Sequence, residues 1–305
     1  MKTPQAYKAL RWFASLSMMV LVLFATTGCT KNMIVLDPKG PIAEQQRDLM
    51  LISTILCAVV IVPVLILTAV IVWRYRDKKG RKAKYKPNWE HSTKLEIIWW
   101  GIPIIIIIAL GVITVKGTYA LEPSKPLKSD VKPITIQVTS LDWKWLFQYP
   151  EQGIASVNYV QFPENVPIRF EITADSPMNS FWIPQLGGQM YAMSGMAMTL
   201  HLQADEKGEY MGSGANFTGR EFAKMYFTAN ATSQEAFDQW VSEVKTSSPA
   251  LTLDGYKELA KPAASDVRMF SAFPKGLFEM TVTKYASSHN HGLSWKDINK
   301  IQLEE

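Results

Sequence analysis

Few residues in this chain are equipped for chemistry, and they are scattered. Its 305 residues contain two cysteines, Cys29 and Cys57, and four histidines, His91, His201, His289 and His291. Thiolate and imidazole are the ligands that soft and borderline transition metals require, so this inventory bounds what metal site the chain can build. Two cysteines give no disulfide framework. His289 and His291 flank Asn290 in a polar tail and read as a solvated pair, since two histidines alone fall short of a metal's ligand count. Neither His91 nor His201 has a visible partner set in the sequence around it. Met190, Met193, Met196, Met198 and Met211 could offer thioethers to copper, but flexible packing against a partner is the commoner use of clustered methionines. Glu96 stands at the head of the apolar run Ile97–Val115. A carboxylate there is either a helix N-terminal charge favoured by the dipole or a functional group at a membrane boundary, and both readings stand at this point.

The elements that must position these residues are mostly membrane elements. Lys2, Lys8 and Arg11 precede the apolar stretch Trp12–Phe24, and Thr26, Thr27 and Gly28 lead to Cys29. This is the order of a secretory signal, and the stretch is short for a spanning helix, which needs about 20 apolar residues. Small residues ending in cysteine resemble the bacterial lipobox, which implies cleavage after residue 28 and diacylation of Cys29. The other reading is an uncleaved anchor with an incidental cysteine.

Leu49–Trp73 carries no charge and is long enough to cross the bilayer, with Pro63 at its middle and Trp73 and Tyr75 at its end. Arg74, Arg76, Lys78, Lys79, Arg81, Lys82, Lys84 and Lys86 follow, opposed over that stretch only by Asp77. By the positive-inside rule the loop 74–95 is cytoplasmic. Nucleic acid or anionic lipid could also attract such a loop, but a short juxtamembrane stretch is explained by orientation alone. A second span, 96–116, opens with Trp99 and Trp100 and returns the chain outside at Lys116. Residues 29–48 then lie outside, ahead of the first span, 49–73. The net charge of +5 therefore points to topology, not to a nucleic-acid partner, and 48% hydrophobic residues with mean hydropathy near zero fit membrane helices joined to a water-soluble domain.

That domain is expected over residues 117–231. After the Pro- and Lys-rich linker Glu122–Lys132, the segments Ile134–Val138, Ile168–Ile172 and Met198–Leu202 alternate apolar and polar residues between turns at Pro163, Pro184, Gly187, Gly188 and Gly208. Such spacing predicts a β-sandwich or barrel. Trp143 and Trp145 alternate on a predicted strand and are expected on one face. Residues 232–305 change texture: Ser233 is a plausible N-cap for a helix through Trp240, and Leu253–Leu259 reads as another short helix.

Three stretches carry a resemblance. Thr93–Pro103 resembles the segment that opens the second helix of oxidase subunit II. Asp142–Phe147 resembles that family's aromatic-rich strand. Met178–Trp182 and Tyr210–Met225 resemble the loops that hold the dinuclear copper centre, CuA, in cytochrome c oxidases. On these motifs the chain is identified as a member of the subunit II family of haem-copper oxidases, over roughly residues 29–285. The resemblance implies a membrane protein with a two-helix transmembrane hairpin, an all-β cupredoxin-like sandwich and a short α-helical C-terminal extension. Laid on the copper motif, the histidine positions hold Asn179 and Phe222, the cysteine positions Gly214 and Thr218, and the carbonyl-donating acidic position Asn216. Only Met225 remains as a ligand type.

This departure implies the quinol-oxidising branch of the cytochrome bo type, without CuA. No cofactor is then expected on this chain. Haems and CuB are expected in subunit I, and ubiquinol is the substrate of the complex. Implied partners are subunit I, smaller membrane subunits and membrane lipid, with no cytochrome c and no nucleic acid. The implied location is the bacterial inner membrane, with the soluble domain in the periplasm. The resemblance also places Glu96 at the cytoplasmic mouth of a proton channel, and gives Trp143 and Trp145 a packing or docking role. The competing reading is a lipid-anchored binding or assembly protein built on the same scaffold.

Overall fold

The computed structural model describes residues 33–76 and 88–286. Cys29, the signal region, most of the basic loop, His289 and His291 lie outside the described residues. The chain divides into two compact units, Met1–Asp37 and Pro38–Glu305. In the first, the described part is a 3-10 turn at Ile34–Leu36.

The second unit begins with helix α1, Pro41–Tyr75. Gly40 is its extended N-cap and Pro41 sits in the first turn, where the missing N–H has no intrahelical partner to lose. The helix extends past the apolar run by about two turns, Pro41–Asp48, in which Arg47 bonds both Glu44 and Asp48. At 1.5 Å per residue it is about 52 Å long, well beyond the hydrocarbon thickness of about 30 Å. Helix α2, Thr93–Ala120, is apolar on all sides and contains Pro103. Both helices are long and apolar enough to cross a membrane, and their most apolar windows are entirely unburied. Exposed Ile97, Trp99, Trp100 and Ile105 are the consequence: such a surface needs lipid or another subunit against it.

The β-domain is a sandwich of two sheets. β1 (Ile134–Leu141), β2 (Lys144–Tyr149), β3 (Ile154–Val157), β5 (Ile168–Ala174), β8 (Met198–Leu202) and β11 (Arg268–Phe270) form one, in the order β11-β3-β2-β1-β5-β8. β4 (Tyr159–Pro163), β6 (Asn179–Trp182), β7 (Met190–Ala192), β9 (Gly208–Gly214) and β10 (Tyr226–Thr232) form the other, in the order β4-β10-β9-β6-β7. Alternate residues of facing strands fill the space between, where Phe181 stacks on Phe227 at 5.1 Å and Trp145 meets Phe181 edge-on at 5.4 Å. Truncating one such fully buried ring to alanine costs about 3–5 kcal/mol.

The expectation that Trp143 and Trp145 share a strand face does not hold. β1 and β2 are antiparallel with Leu141 opposite Lys144, so Asp142 and Trp143 are the two-residue turn between them. Trp143 has φ of 63°, the left-handed region a tight reversal requires. Trp145 is fully buried in the core, whereas Trp143 lies outside the strand and donates its indole N–H to the Thr218 carbonyl at 3.2 Å. Period-two alternation predicts a shared face only while the chain remains a strand.

The C-terminal extension belongs to the β-domain. α3 (Gln234–Ser247), capped by the Ser233 hydroxyl, buries Phe237, Val241 and Val244. α4 (Leu253–Leu259) is capped by Thr252, and α5 is Leu277–Ala286. β11 completes the six-stranded sheet by pairing with β3. Leu251, Tyr256, Leu259 and Leu277 form a second core with Leu141, Leu146 and Val157 on the sheet's outer face.

Candidate functional site: the copper-type loops and the membrane boundary

Of the positions laid on the copper motif, Asn179, Gly214, Asn216 and Met225 come together between β6, β9 and the loop leading into β10. Asn179 is completely buried. Its side-chain N–H donates to the Met225 sulfur at 2.9 Å, and its carbonyl oxygen accepts from the backbone N–H of Ser180 at 2.7 Å and of Asn216 at 3.3 Å. Gly214 lies against the same amide: a Cβ there would stand 2.9 Å from the Asn179 side chain. The Ser180 hydroxyl donates to the Asn216 side-chain oxygen at 3.0 Å. Thr218 and Phe222 are held farther along the loop, Thr218 through its carbonyl to Trp143 and Phe222 by an edge contact with Phe217 at 5.6 Å. Phe217 itself is 80% exposed.

This set does not fit a dinuclear copper centre. It offers amides, a hydroxyl, a phenyl ring and one thioether, and the thioether is already engaged by Asn179. Soft copper sites need thiolate or imidazole, and Cys57 lies within α1. The methionines divide between two uses: Met190 and Met198 pack on the core, while Met196 and Met211 are exposed.

Glu96 lies in the first turn of α2, with its side chain 35% exposed. Its Oε1 is 2.6 Å from His91 Nδ1, and the His91 Nε2 is 3.2 Å from the Thr93 hydroxyl. His91 therefore has the partners its sequence surroundings did not reveal. The fold back from the loop into the first helical turn brings the imidazole over the carboxylate.

Three further polar groups were not singled out as sites from the sequence. Asp175, after β5 and four residues before Asn179, is buried and accepts from the hydroxyls of Tyr256 at 2.8 Å and Tyr285 at 2.7 Å, and from Lys284 Nζ at 2.7 Å. Burial holds the Tyr256 and Tyr285 phenols above their ordinary range, and the hydrogen bond to Asp175 raises the Lys284 ammonium. Lys144 is 2% exposed, and its Nζ donates to the carbonyls of Asp142, Lys261 and Ala263. Burial pulls this ammonium below its usual value. His201, on β8, is buried; burial first and Arg169 second depress its imidazole, and its Nδ1 has no hydrogen-bond partner among the described residues. No local spacing signals these groups, because the partners of Asp175 are 81 to 110 residues away.

Comparison with known proteins decides the family. The profile of the cytochrome c oxidase subunit II transmembrane domain matches residues 28–116, and that of the COX aromatic-rich motif matches residues 245–289. Subunit 2 of the cytochrome bo(3) ubiquinol oxidase of Pseudomonas putida is 50% identical over 266 residues, spanning 87% of this chain and 84% of that protein. The chain belongs to the quinol oxidase subunit 2 family. Quinol oxidase subunit 2 of Bacillus anthracis is 46% identical over 269 residues, 88% of this chain and 92% of that one. Among solved structures, the periplasmic domain of subunit II of the cytochrome oxidase of Bradyrhizobium japonicum is similar at 24% identity and a TM-score of 0.37, covering 40% of this chain and 98% of that one. In this chain the match to the aromatic-rich motif includes α4 and α5, the two helices that deliver Tyr256, Lys284 and Tyr285 to Asp175.

Proposed function

We propose that this member of a terminal-oxidase subunit family is the copper-free subunit II of a proton-pumping ubiquinol:oxygen oxidoreductase. The single observation that carries the reading is the Asn179–Met225 hydrogen bond. An amide and a thioether satisfy each other where a copper-carrying relative would hold metal. Without CuA the chain has no electron entry port for cytochrome c. Electrons then enter from ubiquinol within the membrane and pass to haems and CuB in subunit I. The contribution of this chain is to dock on subunit I through its apolar helices and its sandwich, and to offer Glu96 for proton entry from the cytoplasmic side.

The basic loop supports that orientation, with the β-domain in the periplasm. Cys29 carries the lipid anchor in this reading, and the mass of the mature N-terminus tests it: a chain still beginning at Met1 refutes cleavage. The function itself is tested by purifying the complex through this chain. Haem spectra and oxygen uptake driven by ubiquinol, with none from reduced cytochrome c, are expected. Oxidation of cytochrome c, or purification without haem, would overturn the reading in favour of a CuA-type subunit or of an assembly protein.

A further inference from the structure

The apolar run of α1 starts at Leu49 and that of α2 ends at Val115, so these two residues mark one edge of the hydrocarbon. A cavity of about 550 Å³ lies just beyond that edge, between the ends of the helices and the sandwich. Its polar lining includes Gln45 and Gln46 of α1, Glu122, Lys125 and Lys128 of the linker, and Gln203 after β8. Gln45 stands one turn, about 6 Å, above Leu49. That places the cavity in the headgroup layer, which adds about 5–7 Å on each side of the hydrocarbon.

A second cleft of about 400 Å³ runs down between the helices, lined by Leu49, Ser53, Ile113, Thr114, Gly117 and Thr118. The two share Leu121, Glu122 and Pro123 in their walls, so a polar chamber opens onto a groove that descends into the bilayer. Gly117 allows the close approach that shapes the groove, since a Cβ there would come within 2.8 Å of the Leu49 side chain. The charge is also specific. Among the described residues Lys125 and Lys128 are in no ion pair, and Glu122 stands beside them, its carboxylate accepting from the Ser124 hydroxyl at 2.8 Å.

We infer that this cleft is a binding site for a membrane phospholipid, with the headgroup phosphate at Lys125 and Lys128 and an acyl chain in the groove between α1 and α2. Two cations beside one carboxylate, with carboxamides as further donors, match a phosphodiester carrying an amine. They leave a neutral quinol ring without a partner for its surroundings' charge. The site goes beyond the proposed function, because it requires neither electron nor proton transfer.

The test uses the intact complex, delipidated in detergent and examined by native mass spectrometry during titration with dioleoyl phosphatidylethanolamine. The wild type is expected to retain one more phospholipid than either the Lys125→Ser/Lys128→Ser double variant or Thr114→Trp, which fills the groove. Lipid retention is normalised to haem in all three, so that each is compared per assembled complex. Equal retention in wild type and both variants would overturn the site. So would a quinol as the mass adduct lost, or displacement of the lipid by inorganic phosphate.

Discussion

The side-chain amide of Asn179 donates to the thioether of Met225 across 2.9 Å, tying β6 to the residue that leads into β10. Both residues are buried, and Gly214 leaves no room for a side chain beside them. The loops are thus organised by hydrogen bonds among their own residues. On the proposed reading, the purified complex is therefore expected to hold no copper on this chain. Elemental analysis against haem, together with the near-infrared absorption of a mixed-valence copper pair, checks this. Two further coppers per complex with that absorption would contradict it.

Glu96 is expected to assist proton uptake. Its position at the head of α2, one-third exposed and paired with His91, leaves its carboxylate open to proton exchange with water. Glu96→Ala should lower quinol-oxidase turnover per haem with assembly unchanged, and Glu96→Asp should retain more activity because it remains ionisable. A residue acting only on the helix dipole would instead cost about 1 kcal/mol in stability and leave turnover normal.

Asp175 anchors the C-terminal extension to the copper-type loops through Tyr256, Lys284 and Tyr285. Asp175→Asn should destabilise the β-domain by about 1.5–3 kcal/mol, the range for hydrogen bonds to a charged group. Protease sensitivity in α4 and α5 reports the loss. The extension should also loosen at alkaline pH. Tyr256, Tyr285 and Lys284 all have folded-state values raised above their ordinary 10.0, 10.0 and 10.5. The unfolded chain therefore loses these protons first, and the stability they contribute is complete below pH 10.0 and is lost as pH rises through the folded-state values. Denaturation midpoints measured from pH 8 upward should fall above about pH 10, and less so in Tyr256→Phe.

Lys144 is expected to matter as a donor to backbone, not as a surface charge. Lys144→Met keeps the aliphatic stem and removes the ammonium that satisfies the carbonyls of Asp142, Lys261 and Ala263. A loss of about 2–4 kcal/mol is expected, read as a lower midpoint in chemical denaturation. A change within about 0.5 kcal/mol would class it with ordinary surface substitutions.

The two membrane helices were legible in the sequence because crossing a bilayer depends on the length and purity of an apolar run, a property of consecutive residues. The residue types at the positions laid on the copper motif were legible for a related reason: amide, glycine, hydroxyl and phenyl groups are read directly from consecutive residues. The short strands and the capped helix after Ser233 were visible as local periodicity. The rest required tertiary structure. Trp143 leaves the strand because β1 and β2 reverse at Asp142–Trp143, and that register is set by pairing along both strands. His91 meets Glu96 only once the loop folds back on α2. Asp175 reaches Tyr256, Lys284 and Tyr285 only when an extension 81 to 110 residues away packs on the sheet. These contacts are consequences of burying one apolar surface on another, and which polar groups meet at such a seam is decided by three-dimensional packing that no local spacing encodes.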